Sequence, residues 1–342
     1  MHKINIGIFG AAGYTGQELV RLLAAHPGAA LQFATSESQA GKNLNGILPM
    51  APDITLQSSA QADFSRVDCV FLCLPHTQSA NIAAKAAGAG VKVIDLSADL
   101  RIADPQEYQK WYGLPHPQPS LLPVVYGLPE FFRAHIRGAG IVANPGCYAT
   151  AILLGMLPLV QNNLVASGTQ VIIDAKSGTS GAGRKLQPHT QFGEVYGNLS
   201  PYNIGRAHRH LGEVEPLLAA HGFEPGRLIF SPHLLPTDRG ILAALYIQVQ
   251  DMQLALHAYQ AAYREEALVE LLPAGTLATL ADVVRTPRAV ISLTPVTDTT
   301  LIVITAIDNL LKGASSQAVQ NFNLVYGFPE TMGLLYGSGE PR

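Results

Sequence analysis

Cysteine is scarce: of 342 residues only Cys69, Cys73 and Cys147 carry a thiol. An odd handful in so long a chain argues against a disulfide framework and for a reducing, cytoplasmic compartment. Charge is sparse as well. Asp, Glu, Lys and Arg make up 14% of the chain, the net charge is -3, and Lys and Arg form no block. Nucleic acid and anionic membrane surfaces are therefore not expected partners, since either would leave a basic footprint. No apolar run approaches the roughly 18 residues of a membrane span. The longest runs, 152–160 and 241–249, have the length of core elements. The apolar stretch after Lys3 is interrupted by glycines and followed by helical spacing, which marks a strand and turn and not a leader. No repeat and no linker is present.

What the chain does have is apolar content, 48%, with 32 glycines and 23 prolines spread along it. That is enough for two cores joined by tight turns. The first third alternates strand-like segments (4–9, 31–35, 68–74, 91–96, 141–143) with helix-like ones (15–25, 79–89). Such alternation predicts a parallel sheet with helices on both faces. Cys69 and Cys73 fall in the 68–74 segment and read as core. From about Asn144 onward the pattern changes. Strand-like runs at 170–175, 227–235, 241–250, 289–293 and 301–306 outnumber the helical stretches at 151–159, 213–221 and 253–268. This predicts an α+β domain with a mostly antiparallel sheet. A last helical spacing covers 315–325.

Gly7, Gly10, Gly13 and Gly16 recur every third residue after the first strand, and Tyr14 and Thr15 open the following helix. A turn of this kind brings backbone close to a pyrophosphate and aims helix N–H groups at it, as in Rossmann-type dinucleotide domains. The spacing is GxxGxxG, not the usual GxGxxG. After the second strand come Ser36, Glu37, Ser38 and Lys42. The two serines and the lysine suit a 2′-phosphate and hence NADP, whereas Glu37 suits a free 2′-hydroxyl. Pro75, after the third strand, and Ser97, after the fourth, lie at the edge where parallel sheets bind ligands. Ser180 and Gly181 lie in a glycine- and serine-rich loop that fits the same cofactor.

Cys147 follows Asn144-Pro145-Gly146 and precedes an apolar helix, so its thiol stands at or near a helix N-terminus. The positive end of the helix dipole favours the thiolate, the attacking species in thioester chemistry. A buried structural cysteine is the bland alternative. Downstream lie Arg206, His208, Arg209 and His210, then Glu213. His210 and Glu213 share a helical face at i, i+3, which suits an imidazole oriented by a carboxylate for acid/base work. A metal site of His208, His210 and His189 or His233 is the competing use, but no ligand motif supports it. Arg206, Arg209 and Arg239 are candidates for gripping a carboxylate or phosphate.

Several motifs together resemble one family over essentially the whole chain and in the same order. They are Gly10-Ala11-Ala12-Gly13-Tyr14-Thr15-Gly16, Leu74-Pro75-His76, Asp95-Leu96-Ser97-Ala98-Asp99-Leu100-Arg101, Asn144-Pro145-Gly146-Cys147-Tyr148, Gly205-Arg206-Ala207-His208-Arg209-His210 and Ser231-Pro232-His233-Leu234. The chain is similar here to the N-acetyl-gamma-glutamyl-phosphate reductases of arginine biosynthesis. The resemblance implies reduction of an acyl phosphate by NADPH through a thioester on Cys147. It implies Arg101 for the phosphate, His208 or His210 as acid/base, and Asn309 near the cofactor. Asn144, Arg206 and Arg239 complete the expected substrate side. It further implies domains 1–146 and 147–313, the first completed by a C-terminal helix within 314–342. The same resemblance implies a homodimer or homotetramer; whether the upstream kinase makes a transient contact to hand over the labile acyl phosphate is left open by the sequence. Between the histidines, His210 is favoured because Glu213 reaches it. Two rivals are a sister enzyme acting on another semialdehyde and a nucleotide-sensing protein without catalysis.

Overall fold

The computed structural model describes residues 2–185 and 187–335. Two compact units divide the chain: Met1–Gly146 with Ala314–Arg342, and Cys147–Gly313.

The first unit contains β1 (Ile4–Phe9), α1 (Tyr14–Ala24), β2 (Ala29–Ala34), β3 (Cys69–Leu72), α2 (Ser79–Gly88), β4 (Lys92–Asp95), α3 (Pro105–Tyr112), β5 (Val125–Tyr126), α4 (Pro129–Ile136) and β6 (Ile141–Ala143). Its sheet runs β2-β1-β3-β4-β6-β5, and every neighbouring pair is parallel. Strand order reverses between β1 and β3, which opens a crevice at their carboxyl ends. All four residues of β3 are buried, as expected of a strand covered on both faces. Cys73 lies one residue past β3 and is half-buried, not inside the strand as its spacing suggested. The sequence pattern did not reveal α3, α4 or β5. The first is a polar helix with one buried residue, Tyr108, and the last is two residues long.

The second unit contains α5 (Cys147–Val160), β7 (Val171–Ser177), the one-turn α6 (Phe192–Val195), β8 (Ser200–Pro201), α7 (Leu211–Ala219), β9 (Leu228–Leu234), β10 (Ile241–Gln248), α8 (Met252–Tyr263), β11 (Val269–Leu271), β12 (Ala289–Pro295) and β13 (Thr300–Ile307). The sheet runs β11-β12-β13-β10-β7-β9-β8. It is mostly antiparallel, with parallel pairs at β11–β12 and β7–β9. The helix expected to continue to 268 stops at Tyr263, and Val269 opens the edge strand β11 instead.

Helix α5 is buried from Tyr148 to Val160 and packs on β10, β13, α7 and α8. Gly155 permits this approach, since a Cβ there would sit 3.0 Å from Leu245 and 3.2 Å from Thr305. Pro158 removes the N–H that would bond the Leu154 carbonyl. The hydroxyl of Tyr263 donates to the carbonyl of Leu154, so the freed acceptor stays satisfied inside the core, and that of Tyr259 donates to the carbonyl of Gly155. The chain then returns to the first unit as α9 (Ser316–Tyr326), whose Ser316–Val325 are all buried. Of the C-terminal element expected over 314–342, residues 336–342 lie outside the described residues.

Candidate active site

In the first unit the glycines do different things. Gly10 has φ 79°, and a Cβ on it would lie 2.3 Å from the Cys73 carbonyl oxygen. A Cβ on Gly16 would lie 2.3 Å from the Gly10 carbonyl oxygen. Both positions are therefore closed to any side chain. Gly7 is glycine for another reason, because the Phe33 ring occupies the place of its Cβ at 2.3 Å. Gly13 is the N-cap of α1 and meets nothing closer than 3.5 Å. No side chain caps α1 and no acid stands in its first turn, where Tyr14, Thr15 and Gly16 lie. The first N–H groups of α1 thus have no side-chain cap, a geometry that fits a dinucleotide phosphate. Thr35, not singled out in the sequence, accepts the Gly10 N–H on its hydroxyl at 3.3 Å and helps hold the turn.

At the end of β2 the Glu37 carboxylate accepts the Ser59 N–H at 2.8 Å, which holds it below the usual carboxylate range. Glu37 is thus engaged with a neighbouring loop. Ser38 and Lys42 are exposed, and Ser36 is buried with its N–H on the Gln57 carbonyl. These residues fit NADP.

Farther along the sheet edge, Pro75 is exposed and Ser97 is buried. The Ser97 hydroxyl donates to Asp95 at 2.8 Å and accepts the Asp99 N–H at 3.1 Å, so it is turned into the fold. Burial pushes the Asp95 carboxyl up to about 6 even with the Ser97 hydrogen bonds opposing it. Asp99, also buried, accepts the N–H groups of Thr77 (2.6 Å) and Ala80 (3.1 Å) and the Tyr108 hydroxyl (3.0 Å). It fixes the loop after β3, in which Thr77 is held at φ 74°. Arg101 donates from Nε to the Asn144 carbonyl (2.9 Å) and from Nη2 to the Leu96 carbonyl (2.7 Å). Asn144 is buried, and its amide joins Ala314 and Asn321 of the same unit.

In the second unit Cys147 is the first residue of α5, half-buried and free of any disulfide. Its neighbour Tyr148 meets His208 edge-on at 5.4 Å between ring centroids and His210 at 6.0 Å. The Tyr148 and Tyr202 hydroxyls are 3.1 Å apart, and burial pushes Tyr202 up to about 12. His208 packs against Phe230 and His210, and its Nδ1 accepts the His210 N–H at 3.2 Å. A neutral His208 therefore carries its proton on Nε2. Burial first, then the neighbouring His210 and Arg209, lowers His208 to about 3; Glu213 opposes this and loses. His210 stands one residue ahead of α7 in helical conformation, and Glu213 is buried in the first turn.

The arginines separate by exposure. Arg206 is gripped by Glu215 through both terminal nitrogens at 2.7 Å, yet its side chain is 44% exposed. Arg209 is exposed. Arg239 is buried against Asp308 at 3.3 Å. Asn309 donates to the Ser180 hydroxyl (2.9 Å) and accepts the Gly240 N–H (2.7 Å), which joins Ser180 and Gly181 to the 308–313 turn. His233 faces Asp174 at 3.5 Å. Among the described residues no group of three or more His, Cys, Asp or Glu gathers as a metal would require.

Comparison with known proteins gives two family matches and a set of close relatives. Residues 5–139 match the semialdehyde dehydrogenase NAD binding domain, and residues 147–309 match the semialdehyde dehydrogenase dimerisation domain. N-acetyl-gamma-glutamyl-phosphate reductases of Desulforudis audaxviator and Citrifermentans bemidjiense are each 43% identical, over 97% of this chain and 98% of theirs. That of Laribacter hongkongensis is 41% identical over the same shares. Among solved structures, aspartate semialdehyde dehydrogenase II of Vibrio cholerae shares the fold at TM-score 0.72 and 18% identity, covering 96% of this chain and 99% of that one. The NADP-bound aspartate semialdehyde dehydrogenase of Candida albicans does so at TM-score 0.62 and 15% identity, covering 95% and 98%.

Proposed function

The chain belongs to the N-acetyl-gamma-glutamyl-phosphate reductase family, and we propose that it reduces N-acetyl-glutamyl 5-phosphate to N-acetyl-glutamate 5-semialdehyde and phosphate, a step of arginine biosynthesis. The observation that carries this reading is the Cys147 thiol at the start of a buried helix, with two imidazoles packed on its neighbour Tyr148.

The helix dipole favours the Cys147 thiolate, which attacks the acyl carbon. The carbon–oxygen bond to phosphate breaks, phosphate departs, and a thioester remains on Sγ. NADPH, when bound, supplies the hydride that reduces this thioester. Donors for the oxyanion are the N–H groups at the head of α5. The oxyanion left on the carbon bonded to Sγ takes a proton from His210 and returns it to His210 as the carbon–sulfur bond breaks, which restores the thiolate and frees the aldehyde. Burial, with His210 and Arg209 beside it, lowers His208 and disfavours its charged form; His210 is taken as the acid, with Glu213 three residues on as its orienting group. Arg206, steered by Glu215 and still open, suits the substrate carboxylate. Arg101, oriented by two backbone carbonyls, suits the phosphate. Gly10, Gly13, Tyr14, Thr15 and Gly16 take the cofactor pyrophosphate, with Ser36, Ser38 and Lys42 at its 2′-phosphate.

A homodimer or homotetramer forms, in this reading, through the second unit's sheet. Ile172 and Tyr246 stand 44% and 40% exposed on its face, an apolar surface that a second copy would cover. The lability of an acyl phosphate favours direct hand-over from the kinase that makes it. Three free cysteines suit a cytoplasmic setting.

The test is phosphate-dependent NADP reduction with N-acetyl-glutamate semialdehyde or aspartate semialdehyde, in wild type and Cys147→Ser. Turnover of the acetylated substrate alone, lost in the variant, is the expected result. Turnover of aspartate semialdehyde instead overturns the substrate, and an active variant overturns the nucleophile.

A further inference from the structure

Asp308 is fully buried and makes more bonds than an ordinary turn residue. Its Oδ1 accepts the N–H groups of Leu310 (2.8 Å) and Leu311 (3.1 Å). Its Oδ2 accepts the Arg285 N–H (2.8 Å) and pairs with Arg239 Nη1 (3.3 Å). Its carbonyl accepts the Gly313 N–H at 2.9 Å. Arg285 is held at φ 65° to make this contact, a conformation a side-chain-bearing residue adopts at a cost. The turn so fixed enters a single π-helical turn, Leu311–Ser315, a rare form often found at functional positions. Gly313 on that turn abuts the nucleophile: a Cβ added there would lie 2.8 Å from the Cys147 Cβ and 3.2 Å from its Cα.

We infer that Asp308 is a positioning residue for Cys147, acting through the 308–313 turn and the bare face of Gly313. The reading rests on Cys147 being the nucleophile. A buried carboxylate with four donors around it, and a fifth on its backbone carbonyl, sets the turn rigidly. The turn closes one side of the Cys147 backbone and leaves its thiol a defined direction. The absence of a side chain at Gly313 is therefore a condition of the chemistry and not of turn geometry, since its backbone is not in the left-handed region.

The experiment compares full-length wild type, Gly313→Ala, Asp308→Asn and Cys147→Ser. Two readouts are taken: kcat and KM with semialdehyde, phosphate and NADP, and the pH dependence of alkylation by iodoacetamide. Alkylation reports Cys147, because burial pushes Cys69 up to about 12 and Cys73 higher still. The expected result for Gly313→Ala and Asp308→Asn is a kcat about 10- to 100-fold lower, with all three KM values within about two-fold and a displaced alkylation profile. A merely structural Asp308 would lower the melting temperature and leave kcat and the profile of the folded enzyme at wild type, which overturns the proposal. Should Asp308→Asn not fold, Gly313→Ala decides alone: wild-type kcat and alkylation there overturn it. An active Cys147→Ser sinks the nucleophile reading first, and an inactive Cys147→Ser with normal Gly313→Ala sinks only this one.

Discussion

In the first unit the ligand edge is made of backbone. Gly10 and Gly16 stay bare because the Cys73 and Gly10 carbonyls leave no room, and α1 begins without a side-chain cap. In the second unit the proposed chemistry rests on side chains from separate elements: Cys147 on α5 and His208 and His210 ahead of α7, with Asp308 after β13 as the proposed positioning residue. The first arrangement is local in sequence and tolerates no added atoms. The second is assembled by the core, through the Tyr148 ring on one side and Gly313 on the other. Backbone sites fail by steric exclusion, whereas side-chain sites fail by loss of a group or of its orientation.

Substitutions that strike one unit and spare the other break or sharpen this contrast. Cys147→Ser has the largest expected effect, a fall in kcat on the order of 10⁴-fold or more with NADP binding kept, checked by turnover and by nucleotide titration. Gly10→Ala comes next. A methyl group against the Cys73 carbonyl at φ 79° should raise the KM for NADPH about 10-fold or more, while Cys147 alkylates at the wild-type rate. Ile172→Glu places a charge on the exposed sheet face and should shift the sedimentation of the oligomer toward monomer.

A pH experiment addresses the second unit alone. His208 titrates near 6.5 when unfolded and near 3 when folded, so between these values the unfolded chain holds more protons. Stability contributed by the neutral buried ring is full above about 6.5 and is lost as pH falls toward 3. His208→Gln should flatten the fall in melting temperature across that window, and an unchanged slope would remove His208 as its source. The smallest effect is expected for Tyr263→Phe. It strips the donor from the Leu154 carbonyl opposite Pro158 and should cost about 1–3 kcal/mol in denaturant unfolding, with kcat unaltered.

The same contrast governs what can be read from the chain. The glycine turn, the long apolar strands and the Cys147 helix announce themselves because their signals are contiguous. Gly7 shows the limit: its spacing joins it to the turn, but the Phe33 ring is what requires it. Asp99 and Asp308 show no role of their own in the sequence, since a buried carboxylate looks like any surface acid until the loop N–H groups around it are seen. The polar α3 and the two-residue β5 carry too little periodic hydrophobicity to be found. Arg101, Arg206 and Arg239 look alike in sequence. Only their partners, two carbonyls, Glu215 and Asp308, separate the open guanidinium from the buried one.

The most direct test of the account is to catch the covalent intermediate. The full-length enzyme is mixed with N-acetyl-glutamate semialdehyde and NADP, with phosphate left out, then quenched in acid and weighed intact by mass spectrometry. The account predicts one N-acetyl-glutamyl group per chain, located on the Cys147 peptide, discharged by added phosphate and absent from Cys147→Ser. An unmodified Cys147 peptide under conditions where NADPH has formed would contradict it.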